Sequence, residues 1–224
     1  MPPVISQSVQ DYLKVLYKLQ NGRSPGDTIN TSQVAEQMDV AAASATNMMK
    51  RLAEMKLVDH MPYQGAMLTH LGEKVALEVI RHHRLLELYL AEVLGFKLDE
   101  VDAEADRLEH VISEAFEDRI DKVLGFPTTD PHGDPIPTKD GEIDRKQYEN
   151  LSEVPTGETV VIRQVSDQSP EMLRYMGSMG LRPEVELELK ERAPFNGPLQ
   201  IRVQGKEYSL GIEVARHIYV TVAP

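Results

Sequence analysis

The chain has 224 residues, no cysteine, 41% hydrophobic and 27% charged residues. That leaves room for two or three small domains and excludes collagen, a coiled-coil rod, a disulfide scaffold and, with no apolar run near ~18 residues, a membrane-spanning helix. Formal net charge is −12, but residues 1–72 carry six basic and six acidic side chains, residues 73–125 seven and fourteen, and residues 126–224 eleven and sixteen; the total argues against nucleic acid, the neutral front does not.

Nothing in Met1-Pro2-Pro3-Val4-Ile5-Ser6 reads as an export signal, so the expected compartment is the cytoplasm. From Ser6 to Leu19, Val9, Tyr12, Leu13, Leu16 and Tyr17 recur at helical spacing, and Asn21-Gly22 ends the stripe. Thr31 and Ser32 are hydroxyl N-cap candidates for a short helix to about Met38. After a break at 39–41, Ala42 to Lys56 continues as a helix with Ala45, Met48, Met49, Leu52 and Met55 inward, a helix-turn-helix. Leu57 to Thr69, broken at Pro62-Tyr63-Gln64-Gly65, reads as a two-stranded hairpin, the wing of a winged helix.

Residues 73–94 and 100–124 read as two further helices, the second stopped by Gly125-Phe126-Pro127. The Pro-rich stretch from Pro127 to about Pro155 has too few apolar residues for a core and is expected to lie on the surface as a tether. Thr159–Val165, Val185–Glu191, Leu199–Gln204, Lys206–Leu210 and His217–Val222 then alternate as strands of a small β-barrel. One helix interrupts it, opened by Ser169-Pro170-Glu171. The expected architecture is multidomain and mainly α: a winged helix-turn-helix over 1–72, a helical domain over 73–126, the tether over 127–151 and the barrel over 152–224.

In the third long helix Asp102, Asp106, Glu109 and His110 stand at i, i+4, i+7 and i+8, on one face. His83 and Glu87 share a face of the preceding helix, and Asp11 stands on the first. With no thiolate, these oxygens and imidazoles suit Mn²⁺ or Fe²⁺; a solvated acidic face is the alternative. His82 points about 100° from His83 and is expected to be exposed. His60, His70, His132 and His217 lack a carboxylate at helical spacing and read as structural. On the recognition helix, Ala43 can meet thymine methyls and Asn47 adenine, with Ser44, Thr46, Lys50 and Arg51, and Thr31 and Ser32 before it, as phosphate contacts. A winged helix used only for protein interaction is the alternative there. No phosphate loop, His-Glu-x-x-His or Gly-x-Ser-x-Gly elbow occurs, and a helical di-metal carboxylate enzyme needs Glu-x-x-His on two helices, a spacing absent here.

Four stretches carry a resemblance to a known family: Asp11-Tyr12-Leu13-Lys14-Val15-Leu16-Tyr17; Arg81-His82-His83-Arg84-Leu85-Leu86-Glu87; Asp106-Arg107-Leu108-Glu109-His110-Val111-Ile112-Ser113; and Pro131-His132-Gly133-Asp134-Pro135-Ile136-Pro137. With the order of parts, they resemble the diphtheria-toxin-repressor family of metal-dependent transcription regulators, which includes the manganese transport regulators. The resemblance implies a winged helix, a helical metal-binding and dimerisation domain and a C-terminal SH3-like domain of the FeoA type. It further implies a homodimer on double-stranded operator DNA, with no membrane partner and no enzymatic activity. It places Asp11, Asp106, Glu109 and His110 at one metal site and His83, Glu87 and Asp102 at a neighbouring one, with Glu171 as the candidate from the third domain. Where iron-sensing members carry Met and Cys, this chain has Asp11 and Asp106, which favours Mn²⁺, with Fe²⁺ as the alternative. Where they carry His it has Asp102, and Gln64 stands in the wing where Arg is frequent. Without metal, Asp11, Asp106 and Glu109 are expected to repel and leave the first helix poorly fixed; metal would pin it.

Overall fold

The computed structural model describes residues 5–223 apart from 22, 25, 62, 63, 145 and 168. The opening residues 1–4, the terminator Gly22 and the Pro62-Tyr63 part of the wing turn therefore lie outside the described residues. The chain divides into two compact units, one of 1–82, 109–112 and 137–143, the other of 83–108, 113–136 and 144–224.

The first unit holds α1 (Gln7–Gln20), α2 (Thr31–Gln37), α3 (Ala42–Glu54), the antiparallel pair β1 (Val58–Met61) and β2 (Gly65–Leu68), and the first half of α4 (His70–Glu92). The apolar stripe of α1 is buried as its spacing predicts, and so is Lys14, which the spacing does not predict. Asn30, rather than Thr31 or Ser32, is the N-cap of α2; its N–H donates to the Gln33 side chain at 3.2 Å. Ala45, Met49 and Leu52 of α3 join Leu13, Leu16, Val34 and Ile80 in one core, with Met48 and Met55 partly buried against it. In the wing, Gly65 has φ +114°, and a Cβ there would stand 2.6 Å from the carbonyl oxygen of Ile29, whose N–H and C=O both bond Ala66. α4 starts three residues earlier than expected because the Thr69 hydroxyl accepts from Gly72 N–H (3.1 Å) while donating to the Lys56 carbonyl (2.8 Å).

In the second unit the single helix expected over 100–124 is two helices, α5 (Val101–Leu108) and α6 (Glu114–Val123). The break has a local cause: Ser113 is extended (φ −92°, ψ 156°), its hydroxyl accepts from Phe116 N–H, and Glu114 and Glu117 face the positive end of α6. Glu109 and His110 thus lie in a turn after α5, not on its face. The antiparallel sheet β3 (Glu149–Asn150), β4 (Thr159–Val165), β5 (Glu186–Arg192), β6 (Leu199–Val203), β7 (Lys206–Leu210) and β8 (Ile218–Val222) has the order β3-β8-β4-β5-β6-β7. Alternate residues Val160, Ile162, Leu187, Leu189, Ile201 and Val203 enter a core with Leu173 and Met176 of α7 (Pro170–Ser178), which Ser169 caps as its sequence predicts. A short α8 (Ile212–Ala215) precedes β8.

The 127–151 stretch is a surface tether only in part: the described residues of 138–150 are mostly exposed, whereas 130–137 is folded in. Asp130, His132, Ile136 and Leu151 are buried, and the segment is ordered by its own polar groups. Asp130 Oδ1 accepts from the N–H groups of His132 (2.8 Å) and Asp134 (2.9 Å), and His132 C=O accepts from Val165 N–H of β4. Gly133, at φ +91°, makes that approach possible, since a Cβ there would fall 1.9 Å from the Arg163 carbonyl oxygen. No helix among the described residues is long and apolar enough to cross a membrane.

Candidate metal centres and DNA interface

Burial of Val9, Leu13 and Leu16 fixes the roll of α1 and brings Gln10, Asp11 and Lys14 to the 109–110 turn. There His110 Nε2 lies 2.8 Å from Asp11 Oδ1 and 3.4 Å from Glu109 Oε1. One ligand atom from each of Asp11, Glu109 and His110 falls within 4.8 Å of the others. His110 Nδ1 lies 2.7 Å from Gln10 Oε1, and Nε2 is the ring nitrogen turned to the carboxylates. Lys14 Nζ donates to Glu109 Oε2 at 2.7 Å, and the half-buried His82 lies with Nδ1 3.1 Å from the Glu109 carbonyl oxygen. His82 is therefore not the exposed neighbour expected. Burial pushes the Asp11 carboxyl above its ordinary value and the Glu109 charge adds to this, while His110 and Lys14 oppose it. α1 meets this turn through an ion pair and two imidazole contacts.

The second cluster is built on α4 and α5. His83 Nε2 is 3.4 Å from Glu87 Oε1 and 3.3 Å from Asp102 Oδ1, and His83 Nδ1 is 3.3 Å from Asp106 Oδ1. Asp106 is thus gathered with His83 and Asp102, whereas the resemblance groups it with Asp11. His132 joins them from the buried loop, its Nε2 3.4 Å from Glu87 Oε1. The loop is seated by Arg84, which donates to Pro135 C=O (2.5 Å) and Asp134 Oδ1 (3.0 Å) and lies 3.5 Å from Asp130 Oδ2. Burial would raise the Glu87 carboxyl, but His132 and His83 outweigh it and hold Glu87 below the carboxylate range. The same pairing raises His132 against the effect of its burial, with Asp130 and Asp167 adding to it. Asp130 itself is pushed up to about 8, by burial first and then by Asp134 and Glu87, against Arg84 and His132.

Glu87 Oε1 and both ring nitrogens of His132 are buried with no hydrogen-bond partner. Such atoms are costly unless something meets them, and a divalent cation would meet carboxylate and imidazole together. The residues present therefore fit a metal. Glu171 stands exposed in the first turn of α7 and belongs to neither cluster; Asp167, two residues before Ser169, is the third-domain acid that acts on His132. Lys14, Gln10, Asp130 and Asp167 escaped the sequence reading, which expected His82 to be exposed and His132 to be structural. The signal for Asp130 and His132 was the turn-forming run Asp130-Pro131-His132-Gly133-Asp134, which places a histidine in a defined loop.

On α3 the outward residues Ala43, Ser44, Asn47, Lys50 and Arg51 are exposed opposite buried Ala45, Met49 and Leu52. Thr46 is half-buried and its hydroxyl donates to Ala42 C=O at 2.8 Å, so it is engaged within the helix. Ser32 is exposed and Thr31 half-buried in the first turn of α2.

Three family models match in succession: iron dependent repressor, N-terminal DNA binding domain, over 5–66; iron dependent repressor, metal binding and dimerisation domain, over 69–138; and the FeoA domain, over 149–222. The iron-dependent repressor IdeR of Mycobacterium tuberculosis is 31% identical over 208 residues, 88% of each chain. Among solved structures, a manganese-dependent transcriptional repressor in complex with manganese superposes with a TM-score of 0.88 at 38% identity, covering 96% of this chain and 100% of that one. ScaR with bound Zn²⁺ gives 0.77 at 31%, covering 96% and 99%. Each of these relatives is a regulator rather than an enzyme, and the three matched domains run in the order that the sequence implies. The chain belongs to the iron-dependent repressor family, the diphtheria-toxin-repressor group of metal-dependent, DNA-binding transcriptional regulators.

Proposed function

We propose that this chain is a Mn²⁺-responsive repressor of metal-uptake genes, acting in the cytoplasm as a homodimer on a palindromic operator, with Fe²⁺ as the competing ion. One observation carries the reading: Asp11, Glu109 and His110 converge at α1, a helix whose buried residues share one core with those of the recognition helix. A cation held by these three residues would supply positive charge between two carboxylates and tie α1 to the 109–110 turn. His83, Glu87, Asp102, Asp106 and His132, with Asp167 nearby, would hold a second.

Oxygen and imidazole donors favour Mn²⁺ over softer ions, and the manganese-bound relative supports that choice, while IdeR and the Zn²⁺-bound ScaR make it a matter for competition. Phe96, Phe116, Val123 and Phe126, exposed in the second unit, favour a homodimer. Two recognition helices about 34 Å or a multiple apart would then read half-sites through Asn47 and Ala43, with Ser44, Lys50, Arg51 and Ser32 on phosphates. Linkage requires metal and operator to tighten each other by the same factor.

The test is fluorescence anisotropy of metal-uptake promoter DNA and scrambled DNA at one salt concentration, with chelator, Mn²⁺, anaerobic Fe²⁺ and Zn²⁺. Selective tightening on the promoter in Mn²⁺ supports the reading, and the ion order names the effector. Binding that is indifferent to metal overturns it.

A further inference from the structure

Lys14 has no place in the metal-binding reading, yet it is among the few charged residues that the first unit buries, with a side chain 10% exposed against a Glu109 side chain 1% exposed. A lone ammonium or a lone carboxylate at such depth would be strongly disfavoured, so each is stabilised there by the other. We infer that Lys14 is a built-in cation that competes with the metal at the first centre and so sets the metal concentration to which the protein responds. The inference rests on Asp11, Glu109 and His110 being metal ligands.

The geometry gives the ammonium two effects with one sign. Lys14 holds Glu109 Oε2 at 2.7 Å, leaving Oε1, 3.4 Å from His110 Nε2, as the oxygen directed at the cluster. A cation that takes both oxygens must displace the ammonium, and one that takes Oε1 alone must sit beside it. Either way binding is weakened by a positive charge one helical turn from Asp11 on the same helix. The same contact fixes α1 to the 109–110 turn before metal arrives. Metal therefore replaces an existing tie, and the response is shifted to higher metal concentration.

Charge and hydrogen bonding are separated by two substitutions in the full chain. Lys14→Gln keeps a donor and loses the charge; Lys14→Arg keeps both. Binding of Mn²⁺ is followed through the electron paramagnetic resonance of the free aquo ion, and unfolding of the metal-free protein by circular dichroism. The binding class lost in Glu109→Gln reports the first centre. Lys14→Gln is expected to bind Mn²⁺ in that class about tenfold more tightly and to melt earlier without metal, while Lys14→Arg stays near wild type. Unchanged or weaker binding in Lys14→Gln overturns the inference. If Lys14→Gln does not fold without metal, the midpoint of its Mn²⁺-driven refolding is multiplied by its metal-free folded fraction, read from urea titration; a value below the wild-type binding midpoint supports the inference, and one at or above it overturns it. Glu109→Gln separates the two levels: if it keeps every Mn²⁺ ion, the ligand reading itself fails; if it loses one while Lys14→Gln changes nothing, only the role of Lys14 fails.

Discussion

The two carboxylate and imidazole clusters are made of the same side chains and solve the same electrostatic problem in opposite ways. At Asp11, Glu109 and His110 the buried charges are already met: Lys14 takes one carboxylate oxygen, Gln10 takes the outer imidazole nitrogen, and His82 lies against the Glu109 carbonyl. Around Glu87 the buried atoms are crowded with other ligand types, and Glu87 Oε1 and both nitrogens of His132 are left without hydrogen bonds. A site satisfied without its ion is suited to switching, because the ion exchanges one stable arrangement for another. A site left unsatisfied is suited to holding its ion, because the empty state carries the cost.

The largest effect should come from separating these roles. Glu109→Gln is expected to abolish the metal-dependent gain in operator affinity, roughly 100-fold in the wild type at the upper end of ordinary couplings, when anisotropy is measured in chelator and in Mn²⁺. The double substitution Glu87→Met with His132→Leu should keep most of that gain. If the second pair proves as damaging as the first, both centres belong to one switch and the contrast breaks.

Stability should move the other way. Replacing a buried polar pair by apolar side chains of similar size is often neutral or stabilising by about 1–4 kcal/mol. Glu87→Met with His132→Leu is therefore expected to raise the metal-free Tm by about 3–8 °C for a chain of this size and to erase most of the further rise that Mn²⁺ gives the wild type. Glu109→Gln should lower the metal-free Tm, since it removes the negative charge that faces the buried Lys14 ammonium. Calorimetry with and without chelator reads both, and a drop in both variants would show the second cluster to be as self-satisfied as the first.

The division of legibility follows the physics of each cluster. Helices, wing and strands come from local periodicity, and α1, α3, α7, β4 and β7 fall within a few residues of where their patterns put them. His83 and Glu87 are four apart on one helix, so their meeting is local as well. The break at Ser113 was missed although Ser113-Glu114-Ala115-Phe116-Glu117 is a capping signal, because the apolar stripe runs through it without interruption. Asp130 was missed, and His132 read as structural, for a different reason: a loop rich in Pro, Gly and Asp looks exposed by composition. What buries it is a glycine whose missing Cβ admits Arg163 and an arginine 50 residues earlier that ties Asp134. The Lys14 and Glu109 pair, 95 residues apart, has no local signature at all.

The smallest effect is on pH dependence, and it too differs between the centres. Asp130 is pushed up to about 8, with burial the main cause. Between its ordinary value of 3.8 and that raised one, the folded protein retains a proton that the unfolded chain has released. Metal-free stability must therefore fall as pH rises through this window, and the fall is complete above it. The two N–H groups on Oδ1 favour the ionised form and reduce the net effect. Asp130→Asn keeps an acceptor for the same N–H groups and cannot ionise, so its metal-free Tm should be flatter over this range, by a few degrees. Asp11 is also raised by burial but is half-exposed, and Asp11→Asn should leave the slope nearly as it was. A Tm profile that flattens in Asp11→Asn and not in Asp130→Asn would place the pH-sensitive carboxyl at the first centre and reverse the assignment.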